Sequence, residues 1–73
     1  MDRAKVSALQ EYEDALTEYL AQARSAKRGR SNLELANWLY EADMEIERQG
    51  LTHTPEYQEA VWRAHQRART VHQ

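Results

Sequence analysis

The side chains of this chain that could carry acid–base or metal chemistry are three histidines and 12 carboxylates. Only His65 and His72 fall on one predicted helix, two turns apart, and His53 lies in a connection. The chain has no cysteine, so a zinc site would need carboxylate ligands, and none stands at a ligand spacing. Gly29 is isolated, which argues against a glycine-rich phosphate loop. We therefore expect no catalytic residue, no metal, no cofactor and no enzymatic activity.

Trp62 and its neighbouring arginines are better suited to binding than to catalysis. On a helical projection Trp62 lies away from the apolar face of its helix, toward His65 and Arg69. Because Trp and Arg often dominate the energy of protein interfaces, we predict Trp62, Arg63 and Arg69 as partner-binding residues. An alternative stays open, in which Trp62 covers a neighbouring helix and exposes only its indole N–H.

Charge is segregated along the chain. Residues 24–30 and 60–73 carry positive but no acidic side chains, whereas residues 31–59 carry seven acids and one arginine. In an up-down-up bundle the two basic segments would converge at one pole, so Arg28 and Arg30 are further candidate binding residues. Ordinary solvation, with cations favoured at a helix C-terminus, is the alternative. The acidic side chains expected on the other pole and on the outer side of the second helix are Glu41, Asp43, Glu45, Glu47, Glu56 and Glu59.

The elements that position these residues are helices, since no segment alternates as a strand would. Gly29, Gly50 and Pro55 fall between segments with helical periodicity. They divide the chain into predicted helices over residues 3–25, 32–49 and 55–71. We expect one all-α domain over residues 1–73, a small three-helix bundle, with a homodimer as an option because so short a chain has a thin core.

Capping residues mark the predicted helix boundaries. Asp2 is a candidate N-cap for the first helix, and Ser31 with Glu34 form a capping box for the second. Gly50 stands where a left-handed residue ends that helix, with Leu51 positioned for the accompanying apolar contact. The third helix is predicted to begin with Thr54 as cap and Pro55 at the first helical position.

The apolar faces predict how the helices pack. The first helix has a stripe formed by Val6, Leu9, Leu16, Leu20 and Ala23, flanked by Tyr12 and Tyr19. The third has an inward face formed by Tyr57, Val61, Ala64, Ala68 and Val71. The short connection over residues 50–54 predicts that the second and third helices are antiparallel neighbours.

The second helix has two apolar stripes. One consists of Leu35, Trp38, Leu39, Ala42 and Ile46, and the other of Leu33, Ala36, Tyr40 and Met44. Two stripes favour a central helix that packs against both others, since a small domain needs every apolar contact. The alternative is that the second stripe stays exposed as a dimer or partner surface, with Tyr40 and Met44 as binding residues.

The function we expect is that of a small regulatory protein, an adaptor or inhibitor that docks on a larger protein or complex. The excess of arginine over lysine and the alanine content are typical of bacterial or bacteriophage proteins. The transcription machinery, or another complex that handles nucleic acid, is the target class suggested by the charge pattern. The N-terminus resembles no signal peptide and no segment is apolar enough to span a membrane, so we expect a cytoplasmic protein without membrane contact.

Two other functions remain as alternatives. Direct nucleic-acid binding through the basic pole is less favoured, because the net charge of −2 and the acidic surface oppose it. That hypothesis depends on arginines such as Arg28 and Arg67. The other alternative is a structural homodimer that serves as a component of an assembly.

Overall fold

A computed structural model of the chain describes residues 3–25 and 31–71. It is a small all-α bundle of three helices, α1 (Arg3–Ser25), α2 (Ser31–Arg48) and α3 (Pro55–Val71). The predicted ranges are confirmed to within one residue at each end. The predicted cap Asp2 and the side chain of Ser31 lie outside the described part of the chain, so both caps stay predictions.

The central helix of the bundle is α1. Cα atoms of α1 approach those of both α2 and α3 within 8 Å, and no such approach joins α2 to α3 among the described residues. The direction of the helices follows from individual contacts. Gln49 reaches the backbone of Ala4, so α2 runs antiparallel to α1. Lys5 pairs with Glu56, so α3 begins beside the start of α1 and runs parallel to it.

The interface between α1 and α2 holds the larger apolar side chains. Ala8 and Ala15 of α1 face Ala42 and Ile46 of α2 in one buried cluster. Among the described residues Ile46 is the largest side chain that is fully buried. Partly buried side chains pack around that cluster, namely Leu9, Leu16, Trp38, Leu39, Tyr57 and Val61. The first predicted stripe of α2 therefore faces the core.

Gly50 ends α2 as the sequence predicts. Its φ of 70° is left-handed, a conformation that costs glycine little. The N–H of Gly50 donates to the carbonyl of Glu47 at 3.0 Å, and the N–H of Leu51 donates to that of Ile46 at 3.0 Å. These two bonds form a Schellman motif, and the buried Leu51 joins the same cluster as Ile46.

The interface between α1 and α3 is built on alanines. Ala60, Ala64 and Ala68 are almost completely buried. Such small side chains let two helix backbones approach closely. Thr54 caps α3 as predicted, since its Oγ1 accepts from the N–H of Tyr57 at 3.2 Å. The side chain of Val71, predicted on this inward face, is not among those described.

Two packing predictions are wrong. The second helix is not central, and α2 and α3 are not packed neighbours, because the alanine face of α3 docks on α1 and the short connection joins only their ends. The stripe predicted for α1 is confirmed in part: Leu9 and Leu16 pack against the core cluster, whereas Val6 is 53% exposed and the alanines Ala8, Ala15 and Ala21 are buried. Because α1 is contacted on two sides, its buried face is wider than a single stripe, and alanines occupy the middle of that face.

Candidate docking surface and tyrosine-lined groove

Because α2 and α3 both pack on α1 and not on each other, a groove lies over α1 between α2 and the first turn of α3. Its volume is about 440 Å³. The chain has four tyrosines, and all of them line this groove. Among the described residues the lining consists of Tyr12, Tyr19, Ala36, Leu39, Tyr40, Asp43 and Tyr57. We call this feature the tyrosine groove.

Tyr12 and Tyr57 form the buried end of the tyrosine groove. Their ring centroids are 5.3 Å apart, with planes inclined by 35°. Their hydroxyl oxygens are 3.2 Å apart and share a hydrogen bond. Burial, followed by the hydrogen bond to Tyr57 and the charge of Asp43, raises the pKa of Tyr12 well above its ordinary value. Tyr12 is therefore a neutral phenol that anchors the helices and offers no base.

The rim of the tyrosine groove is exposed and carries one charge. Tyr40 is 65% exposed and Tyr19 is 40% exposed. Among the described residues of the lining, Asp43 is the one that is charged, and its charge is negative. The described lining thus combines aromatic rings with a carboxylate and contains no cationic side chain.

The second apolar stripe of α2 lies at the surface. Leu33 is 69% exposed, Tyr40 65% and Met44 46%. Their spacing of seven and four residues places them along one side of the helix. We call these three residues the outer stripe of α2. Tyr40 belongs both to this stripe and to the rim of the tyrosine groove, so the two surfaces are continuous.

Trp62 lies on the outer side of α3. It precedes the buried Ala64 by two residues, which places it about 160° away around the helix. Its side chain is 63% exposed, so it does not cover α1 or α2. Arg69 is exposed and makes no ion pair with another described residue.

The arginines of α3 nearest α1 are engaged in ion pairs. Nε of Arg63 lies 3.0 Å from Oε1 of Glu13, and Nη1 of Arg67 lies 3.0 Å from Oε2 of the same carboxylate. Arg67 also reaches Asp14 at 3.1 Å, and these hydrogen bonds raise its pKa further. Arg63 therefore points toward α1, on a different side of α3 from Trp62, and the structure does not bring these two candidates together.

Within the described residues, two arginines of the predicted basic pole are paired with acids. Arg28 and Arg30 lie outside the described residues, as do Lys27 and the side chain of Arg24. Arg63 and Arg67, which were expected to converge with them, are matched by two acids of α1. The charge pattern along the sequence does not reveal this neutralisation, because Glu13 and Asp14 lie 50 or more residues from these arginines.

The described residues form no cluster of three side chains from His, Asp and Glu that could hold a metal ion. Nδ1 of His65 lies 2.9 Å from the carbonyl oxygen of Val61, four residues earlier on the same helix. His72 lies outside the described residues. Within the part of the chain that the structure describes, no helix combines the length and apolarity needed to cross a bilayer.

Comparisons with protein-family models, with characterised proteins and with solved structures find no match to this chain.

Sequence reasoning identified Tyr40 and Met44 as candidate binding residues and did not identify the tyrosine groove. The sequence predicts Tyr12 and Tyr19 beside the apolar stripe of α1, Tyr57 on the inward face of α3, and Asp43 among the acids of the acidic pole and the outer side of α2. The sequence feature that could have indicated the groove is the distribution of the chain's four tyrosines over all three helices. To group them, one must know that α2 and α3 both pack on α1 and not on each other, which depends on the alanine contact of α3.

Proposed function

We propose that this chain is a non-enzymatic docking protein, an adaptor or inhibitor that binds a larger protein or complex through the outer stripe of α2. The observation that carries the proposal is the exposure of Leu33, Tyr40 and Met44 along one side of a helix. Single exposed apolar residues are ordinary, but an aligned set forms a patch of the kind found at protein interfaces. Tyr and Met are also enriched at such interfaces.

The charge around the outer stripe supports a partner with a basic surface. The helix carries Glu34, Glu41, Asp43, Glu45 and Glu47, against Arg48 as its one basic residue. A partner that presents an apolar ridge flanked by lysine or arginine complements this surface in both respects. We therefore propose a basic amphipathic helix of another protein as the occupant.

A second copy of the chain fits the outer stripe less well. Two α2 helices packed through this stripe would bring their acidic flanks together. Like charges at close range oppose association, and only Arg48 would offset them. The charge pattern thus favours a basic partner over self-association.

The composition of the core also supports a docking role. Its buried positions are mostly alanines, so the core removes little apolar area from water. Small domains of this kind gain stability when a partner covers apolar surface, because any molecule that binds only the folded state stabilises it. Partner binding and folding stability would be coupled here.

The proposal also names the class of the partner and the cell compartment in which the two proteins meet. We propose that the protein acts in the cytoplasm of a bacterium or during bacteriophage infection, as a regulator of the transcription machinery or another nucleic-acid-handling complex. Proteins that bind nucleic acid expose basic surfaces. Such surfaces complement the acidic α2, which is why this class is preferred.

The proposal is tested with defined peptides. A synthetic amphipathic helix with leucine on one side and lysine on the other is titrated into the labelled protein and followed by NMR. We expect shifts centred on Leu33, Tyr40 and Met44, and affinity that decreases with salt. The same peptide with glutamate in place of lysine should bind at least about fivefold more weakly, because like charges then face each other.

Matched variants decide whether the outer stripe is the site. Met44→Asp should abolish peptide binding. Val6→Asp is the control, since Val6 is equally apolar and 53% exposed but belongs to α1. Equal binding of the lysine and glutamate peptides, or equal loss from both variants, would show that the proposed surface is wrong.

A further inference from the structure

We infer that the tyrosine groove is a binding site for a guanidinium group, supplied by an arginine side chain of the partner polypeptide. This inference rests on the proposed docking function for the source of the arginine. The groove's affinity for the cation itself is tested separately with small molecules.

The composition of the groove supports a cation as its ligand. Four tyrosines contribute aromatic rings, whose faces attract cations. Within residues 3–25 and 31–71, Asp43 contributes the one charge of the lining, and no described lysine, arginine or histidine side chain lines the groove. An apolar ligand would leave Asp43 without a partner as water is displaced, and an anion would be repelled by it. A positive group is the ligand that satisfies both the rings and the carboxylate.

The groove residues form a buried end and an exposed rim. Tyr12 belongs to the central helix and is buried, with its hydroxyl bound to that of Tyr57, so this pair forms the buried end. Tyr40 and Tyr19 are exposed and form the rim. Tyr12 and Tyr19 are two helical turns apart, which gives the groove a length of about 10 Å.

Guanidinium matches this arrangement better than ammonium does. Its planar form stacks on aromatic rings, and its forked N–H groups can donate two parallel hydrogen bonds to one carboxylate. It is also less strongly hydrated than an ammonium group, so it loses less on leaving water. Asp43 supplies the carboxylate, and the tyrosines supply the rings.

A polypeptide is the source of the cation because the groove is continuous with the outer stripe. Tyr40 lines both surfaces. A basic helix seated on Leu33 and Met44 would therefore bring side chains from its flank over the groove entrance. The acidic residues of α2 favour a flank that is rich in arginine or lysine.

The experiment uses the full chain and blocked amino acids. N-acetyl-arginine methylamide, the lysine equivalent and the neutral citrulline equivalent are titrated separately, and the ring resonances of the four tyrosines are followed by NMR. We expect saturable shifts with arginine, weaker ones with lysine and none with citrulline, which has nearly the shape of arginine without its charge. Shifts of the same size with citrulline would overturn the inference.

Variants assign the binding to the groove. Asp43→Asn should weaken arginine binding about threefold to tenfold, because one charged partner is lost from a partly exposed site. Glu41→Gln is the matched control, since Glu41 lies on α2 but does not line the groove. Tyr40→Leu keeps an apolar rim and removes a ring, and it should also weaken binding. Unchanged affinity in both groove variants would overturn the inference.

The two proposals fail in different ways. If arginine binds the groove but the lysine-rich helix does not bind the outer stripe, the docking function is wrong and the cation site stands. If the basic helix binds and blocked arginine leaves the tyrosine resonances unmoved, the cation site is wrong and the docking function stands.

Discussion

The two sides of α2 are similar in apolar content and different in what covers them. On one side Ala42 and Ile46 are buried against α1. On the other, Leu33, Tyr40 and Met44 are exposed. Hydrophobic periodicity alone does not distinguish the two, since both recur at helical spacing.

The difference is explained by where α3 docks. Its alanine face lies against α1, and Glu13 of α1 binds two arginines of α3. These contacts hold α3 away from the outer side of α2, which then has no neighbour within the described chain. An apolar stripe is buried only if another element presents a matching surface. Which side of α2 is buried therefore depends on residues of α1 and α3.

The largest expected effect comes from truncating one side chain on each side of α2. Ile46→Ala should lower the free energy of unfolding by about 2–5 kcal/mol, because it opens a cavity in the core. Met44→Ala, a truncation on the exposed side, should change it by less than about 0.5 kcal/mol. Urea denaturation followed by circular dichroism measures both. Similar losses from the two variants would mean that the outer stripe is covered in solution.

The next test addresses the docking of α3. Ala64→Leu should destabilise the fold by about 1–3 kcal/mol, since a fully buried alanine position has no room for the larger side chain. Ala23→Leu makes the same change at an exposed position of α1 and should be nearly neutral. Thermal melts of the pair report the difference. A tolerated Ala64→Leu would indicate that α3 is not closely packed on α1.

The pH dependence of stability tests Tyr12, at the buried end of the tyrosine groove. Because the folded state raises the pKa of Tyr12, its phenol ionises more readily in the unfolded chain. The stabilisation that arises from this pKa difference is therefore fully present below about pH 10. It is lost as pH rises above that value, by at most about 1.4 kcal/mol per pH unit. Melts at several alkaline pH values should show this decline, and Tyr12→Phe should reduce its slope. An unchanged slope in that variant would assign the decline to other groups.

Gly50 tests the turn that directs α3 toward α1. Gly50→Ala should cost about 1 kcal/mol, because alanine resists the left-handed conformation. No atom lies within 4 Å of the added methyl group, so the loss would arise from the backbone alone. Gly50→Asn should cost less, since asparagine tolerates that conformation. Chemical denaturation of the three proteins gives the order, and equal losses for Ala and Asn would contradict the backbone explanation.

The smallest effect is expected at the ion pairs between α1 and α3. Glu13→Gln removes the carboxylate shared by Arg63 and Arg67, and it should cost below about 1 kcal/mol because both arginines remain half-exposed. The loss should shrink in high salt. Glu59→Gln, at the other and more exposed partner of Arg63, is the control and should have no measurable effect. Salt-independent destabilisation by Glu13→Gln would point to packing instead of charge.

Local features of the fold follow directly from the sequence. Gly50 with Leu51, and Thr54 with Pro55, form the predicted turn and cap because each depends on residues only a few positions apart. The helix bounds follow for the same reason. Tertiary arrangement was harder to predict. The choice of α1 as the central helix depends on Ala8, Ala15, Ala60 and Ala64, and alanine favours a helix without indicating which surface it faces.

The candidate surfaces show the same division. Tyr40 and Met44 could be identified from the spacing of α2, since an amphipathic pattern is read within one helix. The tyrosine groove draws Tyr12, Tyr57 and Asp43 from three helices, so it appears only once their packing is known. The pairing of Glu13 with Arg63 and Arg67 likewise joins positions 50 or more residues apart.

The alanine-based core has a calorimetric consequence. Heat-capacity change on unfolding grows with the apolar area exposed and falls with the polar area exposed. A helical bundle closed by methyl groups exposes much backbone and little hydrocarbon, so its heat-capacity change should lie below the roughly 12–15 cal/mol/K per residue of average domains. Its stability would then vary only gently with temperature. Association should add a negative heat-capacity change of its own, when Leu33, Tyr40 and Met44 leave water.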